Sequence, residues 1–157
     1  MPRITTFLTY DAHAEEAAGL YVSIFPNSAI LDVVRYGDAG PGPRESVMTV
    51  QFTLDGQEYV ALNGGPHFTF SEGISLSVEC TTQEEIDRYW EKLSEGGEQG
   101  PCGWLKDRFG VSWQVNPKIL VDMLRDPDPE KSRRAMNAMM GMKKIDIAEL
   151  ERAYAGN

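Results

Sequence analysis

The sequence predicts an α+β fold of two βαβββ modules forming a curved, cleft-bearing sheet, followed by C-terminal helices. Three observations carry that expectation. A strand and helix pattern recurs at an offset of 69 residues, with Thr6 matching Ser75, Glu15-Glu16 matching Glu84-Glu85, and Tyr21 matching Trp90. Each copy then runs into β-type segments divided by glycine-bearing turns. Beyond Pro117 the apolar spacing turns helical and stays so to the end. One module with one helix cannot cover both faces of its own sheet. Pairing two such sheets leaves a shared concave surface, a usual place for a small ligand.

The elements follow in order. Ile4–Tyr10 alternates in the manner of a strand, and Ala14–Phe25 sets Ala17, Leu20, Tyr21, Ile24 and Phe25 at helical spacing before Pro26 stops the helix. Ala29–Tyr36 is β-branched, and residues 37–44 form a mobile loop with two prolines and three glycines. Val47–Leu54 and Gln57–Leu62 make a hairpin across Asp55-Gly56, a favoured two-residue turn. Gly64-Gly65-Pro66 ends module one, about residues 1–66. Module two, about 73–117, opens with strand Ile74–Cys80. Its helix starts at a capping box of Thr82 and Glu85 and runs to about Ser94. After breaks at Gly96-Gly97 and Gly100-Pro101, a hairpin of Gly103–Arg108 and Val111–Val115 turns at Asp107–Gly110. The tail, 118–157, reads as helices Lys118–Arg125, Pro129–Met140 and Ile145–Tyr154. All of this forms a single domain of 157 residues.

Composition excludes several classes. The formal net charge is −9, which repels nucleic-acid phosphates and anionic lipid, so neither nucleic acid nor membrane is an expected partner. No apolar run is long enough to span a bilayer, and the N-terminus has no signal-peptide pattern. Cys80 and Cys102 are too few for a disulfide framework and form no CxxC pair. The expected setting is reducing and cytoplasmic.

Within this order, a set of motifs resembles the vicinal-oxygen-chelate (glyoxalase/bleomycin-resistance/dioxygenase) superfamily, in its PhnB-like branch. They are Leu62-Asn63-Gly64-Gly65-Pro66, Phe68 and Phe70, Ile74-Ser75-Leu76-Ser77-Val78, Tyr89-Trp90, Cys102-Gly103-Trp104-Leu105-Lys106-Asp107, Phe109-Gly110 and Ser112-Trp113-Gln114. The tail from Pro117 through Ala153 also looks like that branch. Metal-dependent members of the superfamily hold their ion with four His, Glu or Gln side chains. The resemblance carries those positions to Thr6, Asn63 (or Ala61), Ser75 and Gln114. Two hydroxyls and two amides are weak divalent-metal ligands, so no metal is expected. The branch often bears the name 3-demethylubiquinone-9 3-methyltransferase. A Rossmann-like methyltransferase needs a glycine-rich first βα turn. The turn here is Tyr10-Asp11-Ala12-His13, so no S-adenosylmethionine or other cofactor is expected.

The expected ligand is a small molecule, oriented by Thr6, Asn63, Ser75, Ser77 and Gln114 with Trp104 stacking on it. The catalytic candidates are His67 as a base beside the glycine turn, Cys102 as a thiol beside Lys106, and Glu79 as a carboxylate on the face of Ser77. Asp107 reads as a turn former, and Trp113 as core. Two functions remain open: a ligand-transforming protein, and a non-catalytic, ligand-sequestering one of the resistance type. A metal-dependent isomerase or dioxygenase is disfavoured by the weak ligand set. The apolar tail, with Ile119, Leu120, Met123, Leu124, Met136, Met139, Met140, Ile145, Ile147 and Leu150, offers more surface than one barrel absorbs, and implies a homodimer.

Overall fold

Alternation along the first strands puts Leu8, Tyr10, Val50, Phe52, Leu54 and Ala61 on one face, and all six are buried. The computed structural model describes residues 1–157 and divides into two compact units, Met1–Phe70 and Ser71–Asn157. The first contains β1 (Thr6–Tyr10), α1 (Ala14–Ile24), β2 (Ala29–Arg35), β3 (Val47–Leu54) and β4 (Gln57–Asn63). Its sheet runs in the order β1-β4-β3-β2, with β1 parallel to β4 and the other pairs antiparallel. Helix α1 covers the apolar face. Ala14, Ala17 and Ala18 are fully buried and let its backbone approach the strands. Tyr21 meets Phe52 with ring centroids 6.3 Å apart, and its hydroxyl lies 3.1 Å from that of Tyr10.

Helix α1 has no cap of its own, because the His13 side chain makes no capping bond. Asn63, at the end of β4, supplies one. Its Oδ1 accepts from Ala14 N–H at 2.8 Å, and its Nδ2 donates to the Val47 carbonyl at 3.0 Å. One amide thus joins α1, β3 and β4. Asp55 and Gly56 take φ of 48° and 79°, the left-handed pair of the expected hairpin turn. The glycine- and proline-rich loop that follows β2 wraps on an aromatic ring. A Cβ at Gly42 would stand 2.2 Å from the Tyr36 ring, and the Tyr36 hydroxyl donates to the Asn63 carbonyl.

The second unit contains β5 (Leu76–Cys80), α2 (Gln83–Ser94), β6 (Glu98–Gln99), β7 (Trp104–Lys106), β8 (Ser112–Pro117), α3 (Lys118–Leu124), α4 (Pro129–Met140) and α5 (Ile147–Ala155). Its sheet order, β5-β8-β7-β6, matches that of the first. Ile86, Tyr89, Trp90 and Leu93 recur at helical spacing on α2, and all are buried. Leu105, Val111, Trp113 and Val115 form the sheet's buried counterpart, each large side chain contributing roughly 1.5–3 kcal/mol. Thr82 caps α2 by accepting from Glu85 N–H, while Glu85 reaches back to Thr81 N–H at 3.1 Å. Asp107 organises the β7–β8 turn. It is 3% exposed; Oδ1 accepts from Phe109 and Val111 N–H, and Oδ2 accepts from Trp113 Nε1 at 2.9 Å. Asp107 and Trp113 therefore behave as the sequence implied.

Two expectations need correction. The tail does not require a second subunit for most of its apolar side chains. Leu120, Met123, Ala135, Ile145 and Leu150 form their own buried cluster, with Ile119, Leu124 and Met139 packed on it. Gln83 of α2 clamps this tail, donating to the Ile145 carbonyl and accepting from Ile147 N–H. Helix α5 accordingly starts at Ile147, capped by Asp146, rather than at Ile145.

The repeat also slips by one residue. The buried pairs Ala17/Ile86, Tyr21/Trp90 and Ile24/Leu93 keep the offset of 69. The strands do not, because β1 ends at Tyr10 and β5 at Cys80, an offset of 70. Three residues join β1 to α1 and two join β5 to α2. A slip of one residue moves a strand position to the opposite face.

Two substitutions test these anchors. Asp107→Asn should lower stability nearly as much as Asp107→Ala, by about 3 kcal/mol, because its amide would turn a donor toward the Trp113 N–H. Urea titration checks this, and a loss under 1 kcal/mol would contradict it. Asn63→Ala should cost about 1–2 kcal/mol and selectively raise the hydrogen-exchange rate of Ala14 N–H.

Candidate functional site

One helix covers one face of each sheet, so the other face of the strands is where a site can be built. In the second sheet, the ladder places Trp104 opposite Gln114, Lys106 opposite Ser112, Glu98 opposite Lys106 and Ser77 opposite Gln114. Residues directly opposite share a face. Glu98, Trp104, Lys106, Ser112, Gln114 and Ser77 thus lie on one face, away from the α2 core. Ser75, just before β5, joins them, because its Oγ accepts from Gln114 Nε2 at 2.9 Å. The Gln114 Oε1 in turn accepts from Asn116 Nδ2 at 3.3 Å, leaving the buried Asn116 Oδ1 without a partner.

A cavity of about 370 Å³ opens on this face. Lys106, Ser112 and Trp104 line it from the strands, Pro101 and Cys102 from the preceding turn, and Glu98 and Glu72 from its margin. The Glu72 carboxylate pairs with the Lys106 ammonium. That hydrogen bond and the charge behind it hold Glu72 below the ordinary carboxylate value and Lys106 above the ordinary lysine value. Ser112 is 2% exposed yet lines the cavity.

The sequence-based candidates therefore divide. Ser75, Ser77, Trp104 and Gln114 come together on the open face of the second sheet. Thr6 and Asn63 do not belong to the open face of the first. Thr6 alternates with Leu8 and Tyr10 on the α1 side, and Asn63 is committed to the helix cap. The one-residue slip explains this, since Thr5 is the strand equivalent of Ser75. Ala61, the alternative to Asn63, is fully buried. The open face of the first sheet carries Phe7 and Thr9 on β1, and Gln51 bonds Glu58 there at 2.6 Å.

Among the catalytic candidates, His67 is exposed in the segment after β4, and Glu79 is exposed at the end of β5. Cys102 alone of the three lines the cavity. It takes a φ of 58°, left-handed for a non-glycine residue. Glu72, Glu98 and Ser112 were missed as lining residues. Strand alternation from Trp104 and Gln114 reaches Ser112, but nothing in the local sequence marks Glu72. No group of three or more His, Cys, Asp or Glu side chains converges as a metal cage would require. The hydroxyls and amides of Ser75, Ser77 and Gln114 do not fit a divalent ion.

The two thiols differ in environment. Cys80 is fully buried, and burial, reinforced by Glu85 and Glu79, pushes its thiol up to about 12. At pH 8 it stays protonated, so the folded protein should release one equivalent with a thiol reagent, from Cys102. The second should follow only on unfolding. Fast labelling of both, or fast labelling that persists in Cys102→Ser, would contradict this.

The chain matches the family model of 3-demethylubiquinone-9 3-methyltransferase over residues 2–116. A PhnB protein from Bacillus cereus is 39% identical, with a TM-score of 0.66, over 74% of this chain and 99% of that one. A protein from Pseudomonas aeruginosa is 22% identical, with a TM-score of 0.62, over 74% of this chain and 98% of that one. The fosfomycin resistance protein FosX from Listeria monocytogenes is similar in fold alone, at 15% identity and a TM-score of 0.50, over 74% of this chain and 93% of that one. No curated protein matches the chain. The family match ends at residue 116, before α3–α5. With its two four-stranded mixed sheets and a family match over 2–116, the chain belongs to the PhnB-like, 3-demethylubiquinone-9 3-methyltransferase family, of vicinal-oxygen-chelate fold.

Proposed function

We propose that this chain binds a small organic molecule on the open face of its second sheet, and that binding, rather than turnover, is its main activity. The observation that carries the reading is the cavity of about 370 Å³, with the nearly buried residue Ser112 on its wall. Concave sites of this size, with few polar groups among apolar walls, suit small ligands. Gln114 and Ser75 form a hydrogen-bonded pair beside the cavity wall residue Trp104, so their remaining donors and acceptors have a set orientation. A sequestering role follows from the chemistry present. His67 and Glu79 lie outside the lining, and Cys102 has no basic imidazole in that lining to activate it.

The name of the family points instead to methyl transfer. Such chemistry draws its methyl group from S-adenosylmethionine, whose phosphate-free adenosine and sulfonium need a backbone cradle. The β1–α1 connection, Asp11-Ala12-His13, has no glycine for such an approach. Calorimetric titration with S-adenosylmethionine should give no binding heat up to millimolar concentration. A micromolar dissociation constant would overturn this reading.

A second copy of the chain is the proposed partner. What supports it is the apolar surface left exposed: Met136 and Met140, one turn apart on α4, with Ile30, Leu31, Val33 and Val34 along the edge strand β2. No helix is long and apolar enough to cross a membrane, so lipid does not account for it by way of a spanning helix. Light scattering at micromolar concentration should give twice the 17.5 kDa of one chain. A mass near one chain would reject the dimer, and a dimer unaffected by Met136→Glu with Met140→Glu would move the interface away from α4.

A further inference from the structure

The cavity's lining residues give it a definite chemical character. Lys106 and Ser112 face each other across the β7–β8 ladder, and Glu98 stands on the other side of Lys106. Of the three charged groups in the lining, two are carboxylates. The Lys106 ammonium is already committed to Glu72. Glu98 has no ion pair of its own, although its charge is felt at Lys106. The lining thus carries one negative charge in excess. Pro101 and Trp104 make the remaining wall apolar. The Ser112 hydroxyl, on a residue 2% exposed, has no hydrogen-bond partner within the protein and faces this space. The cavity therefore presents a hydrogen-bonding group to whatever enters.

The position of the aromatic wall is set by the C-terminal tail. Pro101-Cys102-Gly103-Trp104 is a tight turn closed by Trp104 N–H to the Pro101 carbonyl at 3.0 Å. Its central residues take φ of 58° and 81°. Left-handed cysteine is unusual, and here both central N–H groups point at the tail. Cys102 N–H donates to the Met142 carbonyl and Gly103 N–H to that of Lys143, each at 2.8 Å. A Cβ at Gly103 would stand 2.5 Å from Asn116 Oδ1, so only glycine fits there. The tail begins beyond the matched residues 2–116. Trp104 is therefore held by a segment beyond the matched residues.

We propose that this cavity takes a compact organic cation, an ammonium group on an apolar or planar body. Glu98 lies opposite the positive charge, Ser112 accepts a hydrogen bond from it, and Trp104 packs on the body and its charge. This rests on the reading of the open face as a ligand site and names the class of ligand. A chain of net charge −9 also raises the local concentration of cations.

Three probes of similar size separate the alternatives: 2-phenylethylammonium, 2-phenylethanol and phenylacetate. Each is titrated into the full chain, followed by the indole resonance of Trp104, assigned with Trp104→Phe, and the amide of Ser112. The ammonium should bind at least roughly fivefold more tightly than the alcohol, with phenylacetate weakest. Glu98→Gln should remove most of that preference while leaving the alcohol unchanged, and Trp104→Ala should weaken both. A folded dispersion and unchanged melting temperature confirm that the variants are intact. Equal binding of ammonium and alcohol, or tighter binding of phenylacetate, would overturn the cation class while leaving a ligand site in place. Absence of shifts at Trp104 and Ser112 with all three probes at millimolar concentration would overturn both the class and the site.

Discussion

A four-stranded sheet has two faces, and each unit of this chain supplies one helix to cover them. From this constraint the rest of the structure follows. Helix α1 takes the face bearing Leu8, Tyr10, Phe52 and Ala61, and α2 the face bearing Leu105, Trp113 and Val115. Apolar burial selects those faces because each large side chain contributes on the scale of a kilocalorie or more. Everything at odd register with them is left open, and chemistry can collect only there. On the second sheet the open face gathers a tryptophan, a lysine, serines and a glutamine in adjacent ladder positions.

Polar anchors then hold the covered faces in place. Asn63 replaces the missing cap of α1, and Asp107 receives three donors in a turn that would otherwise leave them unsatisfied. Both residues sit within family-like motifs, Asn63-Gly64-Gly65-Pro66 and Lys106-Asp107. Their chemistry serves the fold. A polar residue in a matched motif is therefore not by that fact a ligand contact. Of the side chains that remain available, Ser112 lies in the Ser112-Trp113-Gln114 motif and Glu98 outside any of them.

The tail adds a third layer to the second unit. Its cluster of Leu120, Met123, Ala135, Ile145 and Leu150 is closed on itself, and Gln83 ties it to α2. The carbonyls of Met142 and Lys143 hold the Cys102-Gly103 turn in a left-handed conformation that cysteine seldom adopts. The wall of the cavity is thus positioned by residues that lie beyond the matched segment 2–116.

The order of elements was legible in the sequence because alternation and helical spacing are local. The strand of Leu8 and Tyr10, the amphipathic face of α2, the Asp55-Gly56 turn and the Asp107 turn all follow from residues a few positions apart. The first-module site positions were not legible. Thr6 was matched to Ser75 through an offset of 69, which holds for the helices; one extra residue in the β1–α1 connection moves the strands to 70. With a side-chain period of two, that single residue puts Thr6 on the helix side and leaves Thr5 as the equivalent of Ser75. Loop length at that scale has no periodic signature, so only backbone pairing could decide it. The cavity likewise depended on tertiary structure. Glu72, Glu98, Cys102, Trp104 and Ser112 come from four segments, and their meeting is set by strand register and by the tail's hold on the turn. The sequence by itself determined which faces are apolar and where the chain turns, since burial and turn chemistry act locally. Tertiary structure alone decided which polar side chains stay free, because whether a hydroxyl or carboxylate has a partner depends on residues far away in the chain.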